Sequence, residues 1–270
     1  MQRLSIPILL MAMLISIVPL GGALAQQAPT PIPLVAPPGP VTHFPTRFDV
    51  VDAPEQFDQV LMIIDFPAGT WTPPHTPGGY IYTTVIEGEM SSRMVGVPGE
   101  EATYPAGATF FETPGEYMEV GNASSASARV MATALLPKGA PMTINREGES
   151  IDAYPALTDR LVGPPGVATI HRSSIEVDRP TGAFELVQLL LDFSPGISTP
   201  KHMHGGQELA MVTTGEMTLQ RSGDIEIFRA GESWVNTTGL VHAASNDATG
   251  FAQVVAAFLL PAGRPLTSVV

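Results

Sequence analysis

Four side chains in the second half of the chain have the types and spacing of a mononuclear metal site. His202 and His204 are two residues apart, and Glu208 follows four residues further on. Because alternate residues of a β-strand point to the same face, both imidazoles can reach one ion, and Glu208 shares their parity. His242 supplies a third imidazole from a different strand. The pattern predicts a site for one divalent ion.

The ligand types favour a transition metal. Three imidazoles and one carboxylate suit Fe(II), Mn(II), Ni(II), Cu(II) or Zn(II), and they leave positions open in an octahedral site. The chain contains no cysteine, which excludes thiolate zinc sites, disulfides, cysteine nucleophiles and iron–sulfur clusters. We therefore expect one divalent transition metal, whose identity the sequence leaves open.

The elements that must position these ligands are predicted to be short strands. The 270 residues include 26 Gly and 27 Pro, which is above the average usage. Because Gly and Pro favour turns, many turns between short elements are expected. Strand-like runs separated by turn residues are typical of an antiparallel sandwich or barrel. They occur at 187–193, 209–212, 225–228 and 251–260. The exception is 156–161, a candidate short helix.

An internal repeat divides the chain. The segment 57–69 (FDQVLMIIDFPAG) realigns with 184–196 (FELVQLLLDFSPG), and 135–141 (LLPKGAP) realigns with 259–265 (LLPAGRP). A period of about 125 residues is far longer than the roughly 20–50 residues of a solenoid repeat. The repeat predicts two tandem domains.

With these motifs the sequence resembles the cupin superfamily. The family's first motif, G(X)5HXH(X)3,4E(X)6G, is met by Gly196, the three ligands of the first run and Gly215. The second, G(X)5PXG(X)2H(X)3N, is met in part, by Gly223, Gly231, His242 and Asn246. The resemblance implies an all-β fold of two tandem double-stranded β-helix (jelly-roll, or cupin) barrels, that is, a bicupin.

The predicted organisation has five parts. Residues 1–25 have the positive start, apolar stretch and Ala23-Leu24-Ala25 site of a secretory signal peptide. A Pro-rich arm follows at 26–46, an N-terminal degenerate cupin at 47–141, a linker at 142–170 and a C-terminal metal-binding cupin at 171–270. We expect a secreted or periplasmic protein, cleaved after Ala25 and without a stable membrane span thereafter.

The first domain departs from the family pattern at the ligands. Its corresponding positions are His75, Pro77, Ile81 and Met118. Since one imidazole cannot hold a divalent ion against water, we expect this domain to bind no metal and to serve as structural support, as a dimer contact or as an apolar pocket.

The partners and activity are less closely defined. The formal charge of -13 argues against nucleic acid, which attracts basic surfaces, and a small-molecule ligand or substrate is expected. A homodimer is compatible with the sequence. The sequence has no GxGxxG motif that follows a strand and precedes a helix, so nothing in it indicates a nicotinamide or flavin cofactor.

The resemblance implies oxygenase-like chemistry on a small, partly apolar, aromatic or flavonol-like molecule. Glu208 would then be catalytic as well as a ligand, leaving the metal to act as a general base, as its counterpart is thought to do in flavonol-cleaving cupins. The alternatives are a non-catalytic metal- or ligand-binding envelope protein and a metal-dependent lyase, isomerase or decarboxylase. Bicupin oxalate decarboxylases retain metal ligands in both halves, which this chain does not.

Overall fold

The computed structural model describes residues 39–157 and 166–270. Within these ranges the chain forms β-strands joined by turns and no helix, which confirms the all-β prediction. The expected helix at 156–161 lies mostly outside the described residues, and Ala156 itself forms a β-bridge with Thr169. No helix in the described ranges is long and apolar enough to cross a membrane.

Strands β1 to β11 occupy the first part of the described chain. Their bounds are β1 Val41–Val50, β2 Gln56–Phe66, β3 Thr76–Pro77, β4 Tyr80–Glu87, β5 Glu89–Met94, β6 Glu101–Pro105, β7 Thr109–Glu112, β8 Met118–Gly121, β9 Ala128–Pro137, β10 Thr143–Ile144 and β11 Ser150–Ile151.

The remaining strands repeat this pattern. Their bounds are β12 Ala168–Asp178, β13 Phe184–Phe193, β14 His202–His204, β15 Gln207–Thr214, β16 Glu216–Arg221, β17 Asp224–Arg229, β18 Ser233–Asn236, β19 His242–Ser245, β20 Ala252–Pro261 and β21 Thr267–Val269.

The strands form two antiparallel barrels. In the second barrel a sheet of order β1-β13-β20-β15-β18 faces a sheet of order β17-β16-β19-β14-β21. In the first, a sheet of order β12-β2-β9-β4-β7 faces two three-stranded sheets, β6-β5-β8 and β11-β10-β3. This is the duplicated architecture that the repeat predicts.

Each barrel borrows one edge strand from the other half of the chain. Strand β1 pairs with β13 of the second barrel, from Val41 opposite Asp192 to Val50 opposite Phe184. Strand β12 pairs in the same way with β2 of the first barrel. Residues 41–46, expected in the arm, therefore belong to a strand, and β12 begins at Ala168, within the expected linker. In β1 the alternate residues Thr46, Phe48 and Val50 are buried, and in β12 the partly buried Ile175 and the buried Val177 alternate with exposed residues, which is the pattern of a strand with one covered face.

Three clusters of buried apolar side chains stabilise the fold. One fills the first barrel and one fills the second. The third lies between the barrels and combines residues of both halves, among them Leu61, Met131, Leu186, Leu209 and Val255. Since full burial of one such side chain contributes about 1.5–3 kcal/mol, the shared cluster joins the barrels into one unit.

Equivalent glycines end equivalent strands. Gly88 and Gly215 have φ angles of 72° and 77°. A Cβ atom would meet the Ser127 carbonyl oxygen at 2.4 Å in the first case and the Phe251 carbonyl oxygen at 2.3 Å in the second. Only glycine tolerates both the left-handed backbone and the close approach, so this turn is kept in both barrels.

Candidate metal centre

Strands β14 and β19 bring the three predicted imidazoles together. His202 and His204 are buried, whereas Met203 between them is 36% exposed, as expected for alternating strand positions. His202 lies directly opposite His242 in the β14–β19 pair. The ring centroids of these two residues are 4.2 Å apart, so the imidazoles converge inside the second barrel.

Backbone carbonyls fix the orientation of each imidazole. The Nδ1 atoms of His202, His204 and His242 lie 2.8, 2.9 and 3.0 Å from the carbonyl oxygens of Pro200, Leu266 and Leu240. Each Nδ1 therefore carries the proton and donates it, leaving the Nε2 lone pair for an ion. Such carbonyl partners are the usual means of orienting metal-binding histidines.

The ligand atoms converge and one of them has no partner. One ligand atom from each of the three histidines lies within 4.8 Å of the other two. His204 Nε2 is buried without a hydrogen-bond partner. An unpaired buried polar atom destabilises a fold unless something binds it. The arrangement fits a divalent ion.

Glu208 completes the set from a different sheet. Its Oε2 lies 3.8 Å from Nε2 of His204 and 3.8 Å from Nε2 of His242. The same oxygen accepts a hydrogen bond of 2.6 Å from Asn236 Nδ2. Arg221 in turn donates to the Val235 carbonyl at 2.8 Å and contacts Asn236 Oδ1 at 3.4 Å. The carboxylate is therefore held beside the imidazoles by a buried amide.

Burial keeps the histidines in the form that binds metals. Desolvation lowers the pKa of His202 to about 4 and also lowers the pKa of His242. Since a neutral imidazole is the metal-binding form, both rings have their ligand lone pairs available at neutral pH. Together with the carboxylate, they match the borderline donor set that transition metals prefer.

A small apolar cavity adjoins the four ligands. Its free volume is about 80 Å³, enough for a few water-sized groups. Pro40 and Thr42 of the borrowed strand β1 form part of the wall. Most of the rest is apolar, including Leu189, Leu191, Phe193, Val254, Phe258 and Leu266. Val254 and Phe258 belong to β20, which pairs with the strand that carries Glu208.

The corresponding place in the first barrel is filled. His75 forms a bridge with Met118, the same cross-strand pair that His202 and His242 form in the second barrel. Ile81 occupies the position of Glu208. The cavity that Ile81 lines has no free volume, so the residues expected to have lost metal binding also leave no room for an ion.

A buried polar triad takes the place of the ligands there. His75 Nε2 lies 3.1 Å from Glu112 Oε2, and the Tyr154 hydroxyl donates to Glu112 Oε1 at 2.6 Å. Burial by itself would lower the pKa of His75, but the hydrogen bond and charge of Glu112 outweigh it and raise the pKa above 6.5. Burial and the same carboxylate raise the pKa of Tyr154 well above 10, which keeps its hydroxyl a donor.

Sequence reasoning missed the residues that support the two centres. Asn236 and Glu112 lie 124 positions apart, which is the spacing of the repeat in this region. Extending the alignment through this strand would have indicated both residues. Tyr154 lies in the segment between the two repeated stretches, so it has no aligned partner in the repeat. No sequence motif indicates it.

One protein-family model matches the chain within the second barrel. The model of the Cupin domain matches residues 189–258, which contain all four predicted ligands. A search of curated protein sequences found no match to the chain.

Among solved structures, oxalate decarboxylase from Bacillus subtilis has a TM-score of 0.52 and 11% sequence identity, covering 84% of this chain and 74% of its own. AerE from Microcystis aeruginosa has a TM-score of 0.47 and 10% identity, covering 80% and 98%. A Cupin 2 conserved barrel domain protein from Salinispora arenicola has a TM-score of 0.27 and 25% identity, covering 28% and 64%. At this identity the likeness to the decarboxylase shows the fold alone.

Proposed function

We propose that the chain is a member of the cupin superfamily and that its second barrel is a mononuclear metal centre with oxygenase-like activity on a small, partly apolar molecule. His202, His204, Glu208 and His242 would hold one divalent transition metal. The observation that carries the proposal is the buried, unpaired Nε2 of His204 among imidazoles whose Nδ1 atoms are all bound to carbonyls.

Such an ion supplies Lewis acidity toward a substrate oxygen and, if it is Fe, Mn, Ni or Cu, redox chemistry toward dioxygen. The protein's own part is to hold the ligands and to exclude water. The three carbonyls keep the imidazoles in one tautomer. The apolar walls make the cavity a poor site for a sugar, whose hydroxyls would lack partners, and a better one for a planar or aliphatic body.

Glu208 has the contacts of a residue with two roles. Oε2 of Glu208 accepts a hydrogen bond from the Asn236 side-chain amide, which fixes the carboxylate next to the imidazoles. A carboxylate so placed can bind the ion or take a proton from a substrate hydroxyl that enters the cavity. A phenol, catechol or flavonol presents such a hydroxyl together with an apolar ring, and the free volume of about 80 Å³ favours the single-ring members of this class.

Metal analysis followed by oxygen-uptake measurements tests the proposal. The full chain is purified without added metal, and its metal content is measured by mass spectrometry. We expect about one Fe, Mn, Ni or Cu per chain and oxygen consumption that depends on an added catechol or flavonol. Tightly held Zn without oxygen uptake would overturn the oxygenase and favour a binding protein, while conversion of a substrate without oxygen uptake would favour a lyase or isomerase.

We also propose that the protein is exported. The support is the sequence of residues 1–25, which lie outside the described part of the chain. N-terminal sequencing of protein recovered from the periplasm of a bacterial host should begin at Gln26. A chain that begins at Met1 and stays with the cytoplasmic fraction would contradict export.

A further inference from the structure

Trp234 carries a buried hydrogen-bond donor without a partner on the wall of the metal cavity. Its side chain is 5% exposed, and its indole Nε1 has no hydrogen-bond partner. Three side chains in the described part of the chain have such an unpaired buried atom, and two of them, His204 and Trp234, line this one cavity. The unpaired atom of His204 is explained by the metal, whereas that of Trp234 is not.

The position of Trp234 relates it to the metal ligands. It lies two residues before Asn236 on β18, so both side chains point into the barrel. Asn236 lies opposite Glu208, and Trp234 lies opposite Ala210. Alternate residues of a strand are about 6.5–7 Å apart. The strand positions of Trp234 and Asn236 are therefore one such step apart along the barrel, about the length of a small aromatic ring.

The first barrel provides an internal comparison. Phe110 occupies the same place on β7, opposite Thr83, and it packs on Tyr104 with ring centroids 4.6 Å apart. Trp234 packs on Phe228, the counterpart of Tyr104, at 5.2 Å. A phenylalanine fills this wall equally well and carries no N–H group. The donor is present in the barrel with a cavity and absent in the barrel without free volume.

Two threonine hydroxyls near the cavity already have partners. The Thr199 hydroxyl accepts from the Ala244 amide at 2.9 Å, and the Thr267 hydroxyl contacts His204 Nδ1 at 3.3 Å. The Trp234 N–H is left as a buried donor without a partner on a residue of the cavity wall. A donor in an apolar pocket selects ligands that carry an acceptor at the matching place, because a ligand without one leaves it unpaired.

We propose that the Trp234 N–H donates a hydrogen bond to the substrate and selects molecules with two separate oxygen functions. One function is an oxygen pair that would bind the metal. The other is a carbonyl or carboxylate oxygen about one ring length away, which accepts from Trp234. This inference rests on the proposed metal centre and narrows its substrate class to oxygenated aromatic or similarly sized molecules with an acceptor at the far end.

Ligand titrations of the Co(II)-loaded full chain test this inference without measuring turnover. The two probes are catechol and 3,4-dihydroxybenzaldehyde, which differ by one carbonyl acceptor, and the titrations are performed under nitrogen and followed by the visible Co(II) spectrum. The Trp234→Phe variant keeps an aromatic ring at this position, as the first barrel does. Each protein gives a ratio of the two dissociation constants.

We expect the preference for the aldehyde to be about three- to tenfold smaller in the variant than in the wild type, with catechol affinity nearly unchanged. The aldehyde's electronic effect on the chelating oxygens cancels in this comparison, because it is the same in both proteins. An equal loss for both probes would mean that the tryptophan only shapes the wall, and it would overturn the inference. An unchanged ratio, or no binding of either probe, would also overturn it.

The Co(II) content separates this inference from the proposed function. A chain that fails to bind Co(II) overturns the metal centre and this inference with it. Stoichiometric Co(II) in both proteins with an unchanged ratio leaves the metal centre standing and removes only the role of Trp234.

Discussion

Glu112 lies opposite Ile81 in the first barrel at the strand position where Asn236 lies opposite Glu208 in the second. The carboxylate has thus changed strands between the two copies. In the second barrel the acid stands on β15 and an amide supports it from β18. In the first barrel the acid stands on β7 and binds the remaining histidine directly. The same inward pair of positions therefore yields an open metal site in one case and a closed polar core in the other.

Replacing Asn236 should weaken metal binding without removing a ligand. Asn236→Ala removes the 2.6 Å hydrogen bond to Glu208, and loss of such a supporting contact typically reduces metal affinity about 10- to 100-fold. Competition with a coloured chelator measures the affinity. The matched control is Trp234→Phe on the same strand, which should retain wild-type affinity. Equal affinities for Asn236→Ala and wild type would contradict the supporting role.

Replacing a histidine in the second barrel and replacing His75 in the first barrel should have opposite effects on metal content. His204→Ala removes an imidazole of the centre, so the purified variant should contain less than about a tenth of the wild-type metal. His75→Ala alters the first barrel, where no metal is expected, and should leave the metal content of the folded protein unchanged. If the second variant also loses its metal while circular dichroism shows it folded, the assignment of the first barrel is wrong.

Glu208→Gln should affect turnover more than metal content. The amide removes the charge and the proton acceptor while keeping the shape of the side chain. We expect turnover per bound metal to fall about 10²- to 10⁴-fold, as is usual for loss of a general base. Glu216→Gln, at an ion pair with Arg229 on the outer face, is the control and should keep wild-type turnover. A Glu208→Gln protein with normal kcat per metal would exclude the general-base role.

The polar triad of the first barrel should make stability depend on pH. Glu112 raises the pKa of His75 in the folded state, so protonated His75 stabilises the fold. This stabilisation is fully present at pH values below the unfolded-state pKa of about 6.5. This stabilisation is lost as the pH rises through the raised folded value. Glu112→Gln removes the cause of the shift. The loss in free energy of unfolding caused by Glu112→Gln, relative to the wild type, should therefore be larger at pH 5.5 than at pH 9, by about 1–3 kcal/mol.

Urea unfolding at the two pH values measures this difference. Glu176→Gln is the control, because its pair with Lys138 is about half exposed, and exposed pairs contribute about 0–1 kcal/mol. A Glu112→Gln cost that is equal at both pH values would show that His75 stays neutral in the folded protein.

Strand β1 should be needed for the second barrel, although it comes first in the chain. Its buried side chains include Phe48 and Val50, and burial of such groups contributes about 1.5–3 kcal/mol each. A chain that begins at Asp52 should therefore unfold at clearly lower urea concentration than one that begins at Gly39, and it should bind metal more weakly, because Pro40 and Thr42 line the cavity. Equal stability of the two chains would show that the β1–β13 pairing adds nothing.

The sequence predicts the site better than the connections between the barrels. Ligand spacing on a strand follows from local geometry, so the convergence of His202 and His204 could be inferred from their parity. The expected shared parity of Glu208 does not explain its place, because Glu208 lies on β15, in a different sheet from β14. The duplication could be inferred from the repeat. The exchange of β1 and β12 could not, because an amphipathic strand fits the open edge of either barrel, and only the packed structure decides which edge it covers.

The triad of the first barrel shows a second limit. The loss of three ligands is visible in the sequence, but it does not reveal what replaces them. Glu112 and Tyr154 are far from His75 in sequence, and their convergence depends on how the segment after β9 folds back over the barrel. A lone histidine in the sequence is thus a member of a fully paired buried network in the structure.

The exchanged strands also constrain the order in which the protein can fold. Contacts between β1 and β13 join residues 138 and 149 positions apart, as in the pairs of Arg47 with Glu185 and His43 with Asp192. During synthesis β1 therefore emerges long before its partner and must remain unpaired while the first barrel is assembled. Pairings this distant in sequence slow folding, and the waiting strand presents a free edge to other chains. The metal cavity, which β1 helps to enclose, therefore depends on a pairing between the first described strand and a strand that is made more than 130 residues later.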